Sequence, residues 1–139
     1  MLKMSFEREI NADLDKAFDI ITNFEYFQKL FPEFYPSILI KSVRDESSLV
    51  AEHLKLHDTE FIIMSKHITS KNHSHEMRVV VGNIKGSSII EIFSFDNGKT
   101  YLKVNAELDV KSSRFSKNNP YGESLKNLYD MMIIEIEKS

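Results

Sequence analysis

The order in which local signals arrive constrains this chain more than any single motif. An alternating segment comes first, then two short amphipathic helical patterns ending at Phe31-Pro32, then strand and turn signals from Ser37 to Lys111. One apolar-faced helical stretch, Pro120 to Lys138, follows. Strands grouped together and followed by a lone long helix are the pattern of an α+β domain, with helices on one face of an antiparallel sheet. A bent sheet and one long helix can enclose a space as readily as a solid core. The pattern therefore points to a pocket as well as to a fold.

In the first segment, Lys3–Ile10, Met4, Phe6 and Ile10 alternate with Ser5, Glu7 and Glu9. Asn11-Ala12-Asp13 supplies a turn and a capping side chain. Leu14, Ala17, Phe18 and Ile21 mark one face of a short helix, and Phe24, Phe27 and Phe31 one face of a second that Pro32 ends. Strands are predicted at Ser37–Arg44, Leu49–His57, Glu60–Thr69, Ser74–Gly82, Ser87–Phe95 and Thr100–Lys111, which with the first makes seven. Asn119-Pro120 starts the last helix with a cap and an N1 proline. Its stripe is Leu125, Leu128, Tyr129, Met132, Ile133 and Ile136, and at 1.5 Å per residue it is roughly 28 Å long, enough to cross a sheet.

Directly paired residues share a face, so hairpin turns decide what points inward. A two-residue turn at His57-Asp58 sets Lys55 opposite Glu60 as an outer ion pair and Leu54 opposite Phe61 inside. The inner face then runs through Ile63 and Ser65 to His67, while Met77, Val79 and Val81 share a face with His75. A short turn near Ser70–Asn72 pairs His67 with His75, placing two imidazoles about 5 Å apart at Cβ. The last hairpin has two registers. A two-residue Asn97-Gly98 turn puts Phe93, Phe95 and Glu91 inside; a three-residue Asp96-Asn97-Gly98 loop puts Ile90 and Ile92 inside and sets Glu91 against Lys103 outside. The second avoids a buried carboxylate and is the preferred one.

Composition narrows the function classes. The 139 residues show no linker-like break and read as one domain, 1–139. Eighteen basic against 21 acidic residues, interspersed, argue against nucleic-acid partners. There is no cysteine, which excludes disulfides, thiolate catalysis and zinc–sulfur sites. No apolar run approaches the roughly 18 residues of a membrane span, and the first residues are no signal peptide, so a cytoplasmic protein without stable membrane insertion is expected. No phosphate loop, nucleophile elbow or metalloprotease helix is present; no cofactor and no metal are expected.

The segment Phe6 to Phe18, a strand running into a helix through a short polar turn, together with Asn23-Phe24-Glu25-Tyr26-Phe27, Leu30-Phe31-Pro32, Phe93-Ser94-Phe95 and Gly98-Lys99-Thr100, resembles the START-related, birch-pollen-allergen-like (SRPBCC) superfamily. It looks most like the polyketide cyclase/dehydrase and coenzyme Q-binding branch. The likeness spans nearly the whole chain. It implies a helix-grip fold, in which a seven-stranded curved antiparallel sheet surrounds the C-terminal helix, with two short helices after the first strand. It also implies an apolar cavity between sheet and helix, holding a lipid-like, quinone-like or polycyclic molecule.

The residues expected to line that cavity are Phe27, Phe31, Leu54, Phe61, Ile63, Met77, Val79, Ile90, Ile92, Leu102, Val104, Tyr129 and Met132, with Phe34, Tyr35 and Phe115 flanking a portal. An empty void of about 300 Å³ would cost roughly 7 kcal/mol, so a real cavity is hydrated, occupied or small. A collapsed core is the other possibility. His67 and His75 are candidate anchors for a ligand head group, and a Glu52–Arg8 pair on the inner face could orient a carbonyl. The function expected is binding or carriage of a small hydrophobic molecule. The alternatives are a cyclase or dehydratase using His67, His75 or Glu52 to carry protons, and an interaction module docking on a protein partner.

Overall fold

The computed structural model describes residues 1–110 and 119–139. Phe115, the third portal residue, lies outside them. β1 (Leu2–Ile10) is followed by α1 (Leu14–Ile21), a single 3-10 turn (Phe24–Tyr26) and α2 (Phe27–Leu30). Six strands follow, β2 (Ser37–Arg44), β3 (Ser47–Leu56), β4 (Thr59–Ser70), β5 (Ser74–Gly82), β6 (Ser88–Asp96) and β7 (Lys99–Leu108), and then α3 (Pro120–Lys138). The sheet is antiparallel, in the order β1-β7-β6-β5-β4-β3-β2. This is the seven-stranded, helix-grip arrangement that the sequence predicts.

That order dictates where the helices go. β2 to β7 form successive hairpins, and β1 returns to pair with β7 from Leu2↔Leu108 to Ile10↔Thr100. β1 and β2 therefore stand at opposite edges, and α1, the 3-10 turn and α2 must carry the chain across the sheet. Asp13 caps α1 by accepting from the Lys16 amide, and Ala17, Phe18 and Ile21 are buried beneath it. α3 touches both β1 and β3, so it lies across the concave face. Its buried residues include Leu125, Leu128, Tyr129, Met132 and Ile136. Each such apolar side chain contributes roughly 1.5–3 kcal/mol by burial, which a marginal isolated helix would lack.

Three registers differ in outcome. At His57-Asp58 the two-residue turn forms, with Leu54 opposite Phe61 and Lys55 opposite Glu60. The Glu60 carboxylate, however, pairs with His53 Nδ1 at 2.9 Å. Between β4 and β5 a bulge opposite Met64/Ser65 leaves Val80 as the extra residue. Val79 stays buried, but Val81 is turned out and is 56% exposed, contrary to the simple alternation. The three-residue turn between Ser70 and Ser74 sets His67 opposite Met77 and His75 opposite Thr69, two residues away from the predicted direct pair.

The β6–β7 hairpin takes the register that was not preferred. Asp96 pairs with Lys99 around a two-residue Asn97-Gly98 turn, with φ of 51° and 77° at its centre. Both central residues are left-handed, as the favoured tight hairpin turn requires. Glu91 and Phe93 therefore point inward, while Ile90 is only half-buried and Ile92 is 46% exposed on the outer face. Those two residues do not line the interior. Phe95 is also exposed, at the hairpin's end.

Candidate functional site

Four neighbouring strands each bring one titratable side chain to the concave face. β3 supplies Glu52, β4 His67, β5 His75 and β6 Glu91, and all are buried. Their inward aim follows from the two-residue strand period, since Leu54, Ser65, Met77 and Phe93, two positions away, are buried too. Tyr129 reaches the same place from the apolar stripe of α3.

Hydrogen bonds join the five into one row. Glu52 Oε2 lies 3.0 Å from His67 Nε2, and His67 Nδ1 lies 2.8 Å from His75 Nε2. His75 Nδ1 is 2.5 Å from Glu91 Oε1, and the Tyr129 hydroxyl donates to Glu91 Oε2. The imidazole planes are within 9° of parallel with centres 5.0 Å apart, as an N–H···N bond in the ring plane needs. Phe24 covers both rings, its centroid 4.2 Å from that of His67 and 5.0 Å from that of His75.

Register explains which of these contacts are direct. Glu91 stands opposite His75 on the β5–β6 ladder. His67 is a diagonal neighbour of His75, and Glu52 is four residues along β3 from Ser48, the partner of His67. On a flat sheet that offset would be roughly 13 Å. The concave curvature tips the two side chains together until they bond.

The row has a definite proton requirement. A neutral imidazole donates through one nitrogen only. The three bonds linking Glu52, His67, His75 and Glu91 need three protons, and two neutral imidazoles supply two. The fully bonded row therefore carries one net negative charge, whether its third proton makes one ring an imidazolium or one carboxyl neutral. Moving the central proton from His67 Nδ1 to His75 Nε2 changes which ring is charged and breaks no bond. Burial first, then the charge of Glu91 and its hydrogen bond, raise the Tyr129 phenol well above the usual tyrosine range. Burial and the charges of Glu52 and Glu91 do the same for Tyr35. Both phenols thus stay protonated donors. Glu52 Oε1 and Ser65 Oγ, diagonal neighbours on the inner face, are buried without a partner among the described residues.

About 20 Å³ of space remains beside the row, bounded by His67, His75, Glu91, Tyr129, Tyr35, Phe27, Met77 and Met132 with Ile21 and Ile89. That is room for roughly one water molecule. The open apolar chamber expected from the sequence is closed here, because these large side chains fill it. Among the predicted lining residues, Phe27, Met77, Tyr129 and Met132 border the space. Phe31, Leu54, Phe61, Ile63, Val79, Leu102 and Val104 are buried in the core around it, and Ile90 and Ile92 lie on the other face. Phe34 and Tyr35 are buried; the Tyr35 ring lies 5.0 Å from that of Phe27, and Phe34 also borders a surface hollow with Glu33, Lys55, His57 and Ser124. Arg8 does not meet Glu52, since its guanidinium pairs with Asp130 of α3 at 2.8 Å. A larger hollow of about 520 Å³ on the β1–β7–β6 side is lined in part by Glu7, Glu9, Tyr101 and Lys103, which are at most half-buried. It holds no buried titratable group, in contrast to the row.

Sequence reasoning missed Glu91, the polar role of Tyr129, and the cover by Phe24. The signal for Glu91 was present in the Asn97-Gly98 turn. Among the described residues no group of His, Asp or Glu is placed to hold a metal ion, the row being linear rather than convergent. No helix among them is long and apolar enough to cross a membrane.

The sequence matches no protein-family model and no curated protein. Solved structures do resemble the chain. A START superfamily protein from Mycobacterium smegmatis is 14% identical and superposes with a TM-score of 0.81, over 98% of this chain and 97% of that one. Zhui aromatase/cyclase from Streptomyces sp. R1128 is 10% identical, with a TM-score of 0.71 over 99% and 94%. Major latex-like protein 151 from Panax ginseng is 14% identical, with a TM-score of 0.71 over 99% and 95%. At these identities the likeness is one of architecture: the chain shares the helix-grip fold of these structures.

Proposed function

We propose that this protein binds a small, mainly apolar molecule between the concave sheet face and α3, with the polar row as anchor for its one polar end. The observation that carries this reading is a buried, continuously hydrogen-bonded row of two carboxylates, two imidazoles and a phenol beside the residual space, with Glu52 Oε1 left unpartnered. Replacing buried ion pairs by apolar side chains of similar volume is often neutral or stabilising, so folding alone does not call for such a row. Room for a guest comes from the cover. Phe24, Phe27 and Tyr35 sit on a 3-10 turn, a four-residue helix and an irregular segment, which have few regular backbone bonds to lose. Met77 and Met132 on the other walls repack readily.

Native mass spectrometry of the protein as expressed tests this. A one-to-one adduct with an apolar molecule is expected, and it should disappear in Met132→Phe, which fills the remaining space. A bare chain that also takes up no apolar probe would end the binding reading.

A second reading is favoured by the mobile central proton. Glu52, His67, His75 and Glu91 could carry a proton through the site, in cyclase- or dehydratase-type chemistry like that named for Zhui aromatase/cyclase. Deuterium exchange into an enolisable ketone, lost in His75→Ala, would support it; no exchange above background would not.

A further inference from the structure

We infer that the pocket selects ligands whose polar end is a neutral hydroxyl and rejects carboxylates; this rests on the binding reading above. The row's own proton count carries the argument. In its fully bonded state it holds one net negative charge, and one further proton, taken up at a free carboxylate lone pair such as that of Glu52 Oε1, makes it neutral. In neither state is the site positive. Nor is any N–H of the row free, because each imidazole nitrogen is engaged with Glu52, the other imidazole, or Glu91. Among the described residues no Lys or Arg lines the space. An incoming carboxylate would therefore be desolvated beside Glu91 with every imidazole N–H of the row already engaged. Buried unpaired charge is among the most unfavourable arrangements in a protein interior.

A hydroxyl meets the opposite situation. It donates to a lone pair of Glu91 or of the Tyr129 oxygen, leaving every bond of the row in place. Its apolar body lies against Met77, Ile89 and Met132. The ligand class is thus an alcohol or phenol on an apolar frame, as opposed to a free fatty or aromatic acid.

The test uses phenol, toluene and benzoate near neutral pH, by titration calorimetry on the wild-type protein and on Met132→Ala, which enlarges the pocket. Imidazole NMR signals of His67 and His75 report where the probes bind. Phenol should bind best and shift both histidines, toluene about tenfold more weakly, and benzoate about a hundredfold more weakly than phenol. Glu91→Gln, which keeps the shape and removes the charge, should narrow the gap between phenol and benzoate. Benzoate binding as well as phenol, a gap unmoved by Glu91→Gln, or phenol bound without shifting the histidines would each overturn the inference while leaving a pocket in place. Failure of all three probes to bind either protein would overturn the pocket reading and the inference together.

Discussion

The concave face holds two interiors under the same helix. Toward β1 and β7 it is mainly apolar: Leu102, Val104, Ala106, Leu108, Leu125, Leu128 and Ile136 are all buried, and Thr100 at its end bonds the Ala12 carbonyl. Between β3 and β6 the same face carries Glu52, His67, His75 and Glu91. The first region is held by apolar burial, which is non-directional and forgiving of small shifts. The second is held by directional bonds that must all be made, since each buried group left unpaired costs the desolvation of a polar or charged atom. The contrast teaches where folding ends and function begins: one region does what a core must, the other does more than a core needs.

The comparison can be broken most forcefully at Glu91. Glu91→Ala leaves His75 Nδ1 and the Tyr129 hydroxyl without their acceptor. It should cost about 4 kcal/mol in urea denaturation, and a loss below about 1 kcal/mol would mean the row is not a unit. In the apolar region Leu128→Ala should cost about 3 kcal/mol, through lost transfer energy and the void left behind. It should leave the His67 and His75 ring signals unchanged, whereas Glu91→Ala should move them.

Tyr129→Phe should cost about 2 kcal/mol, as it removes one hydrogen bond to a carboxylate. Its pH dependence sharpens the point. Tyr35 and Tyr129 are raised in the fold, so the unfolded chain loses those protons first, near pH 10. The stability linked to them is therefore complete below about pH 10 and is lost as pH rises further through the folded values. Tyr129→Phe should flatten that alkaline decline, and denaturation midpoints that fall as steeply in the variant would contradict the assignment. The smallest effect is expected at the hairpin that aims Glu91. Gly98→Ala meets no atom within 4 Å, so only the left-handed backbone at φ 77° resists it, at about 1 kcal/mol. Its thermal midpoint should drop slightly with the histidine signals in place.

The hairpins show how legible this site was. At His57-Asp58, turn chemistry and the wish to bury Leu54 with Phe61 agreed, and the predicted register is the observed one. At Asn97-Gly98 they disagreed. Preference for keeping Glu91 out of the interior outweighed the turn signal, and the structure sides with the turn. The burial argument failed because Glu91 is not a lone carboxylate; His75 and Tyr129 neutralise its cost. A local rule broken at a tight turn was itself the pointer to the site.

Alternation, turn residues and caps are local properties, so seven strands, the short helices and the α3 stripe could be read from the chain alone. The inward aim of His67, His75 and Glu52 followed from the same period. Only the folded sheet decided that these side chains touch. The bulge at Val80 shifts one ladder, and curvature closes a four-residue offset between Glu52 and His67. Whether the interior is a chamber or a filled core was likewise a tertiary matter, because it depends on how Phe24, Phe27, Tyr35 and Met132 pack from four separate segments. Local pattern says which face a residue takes; distance between residues far apart in the chain is set by the sheet's bending, which no short stretch encodes.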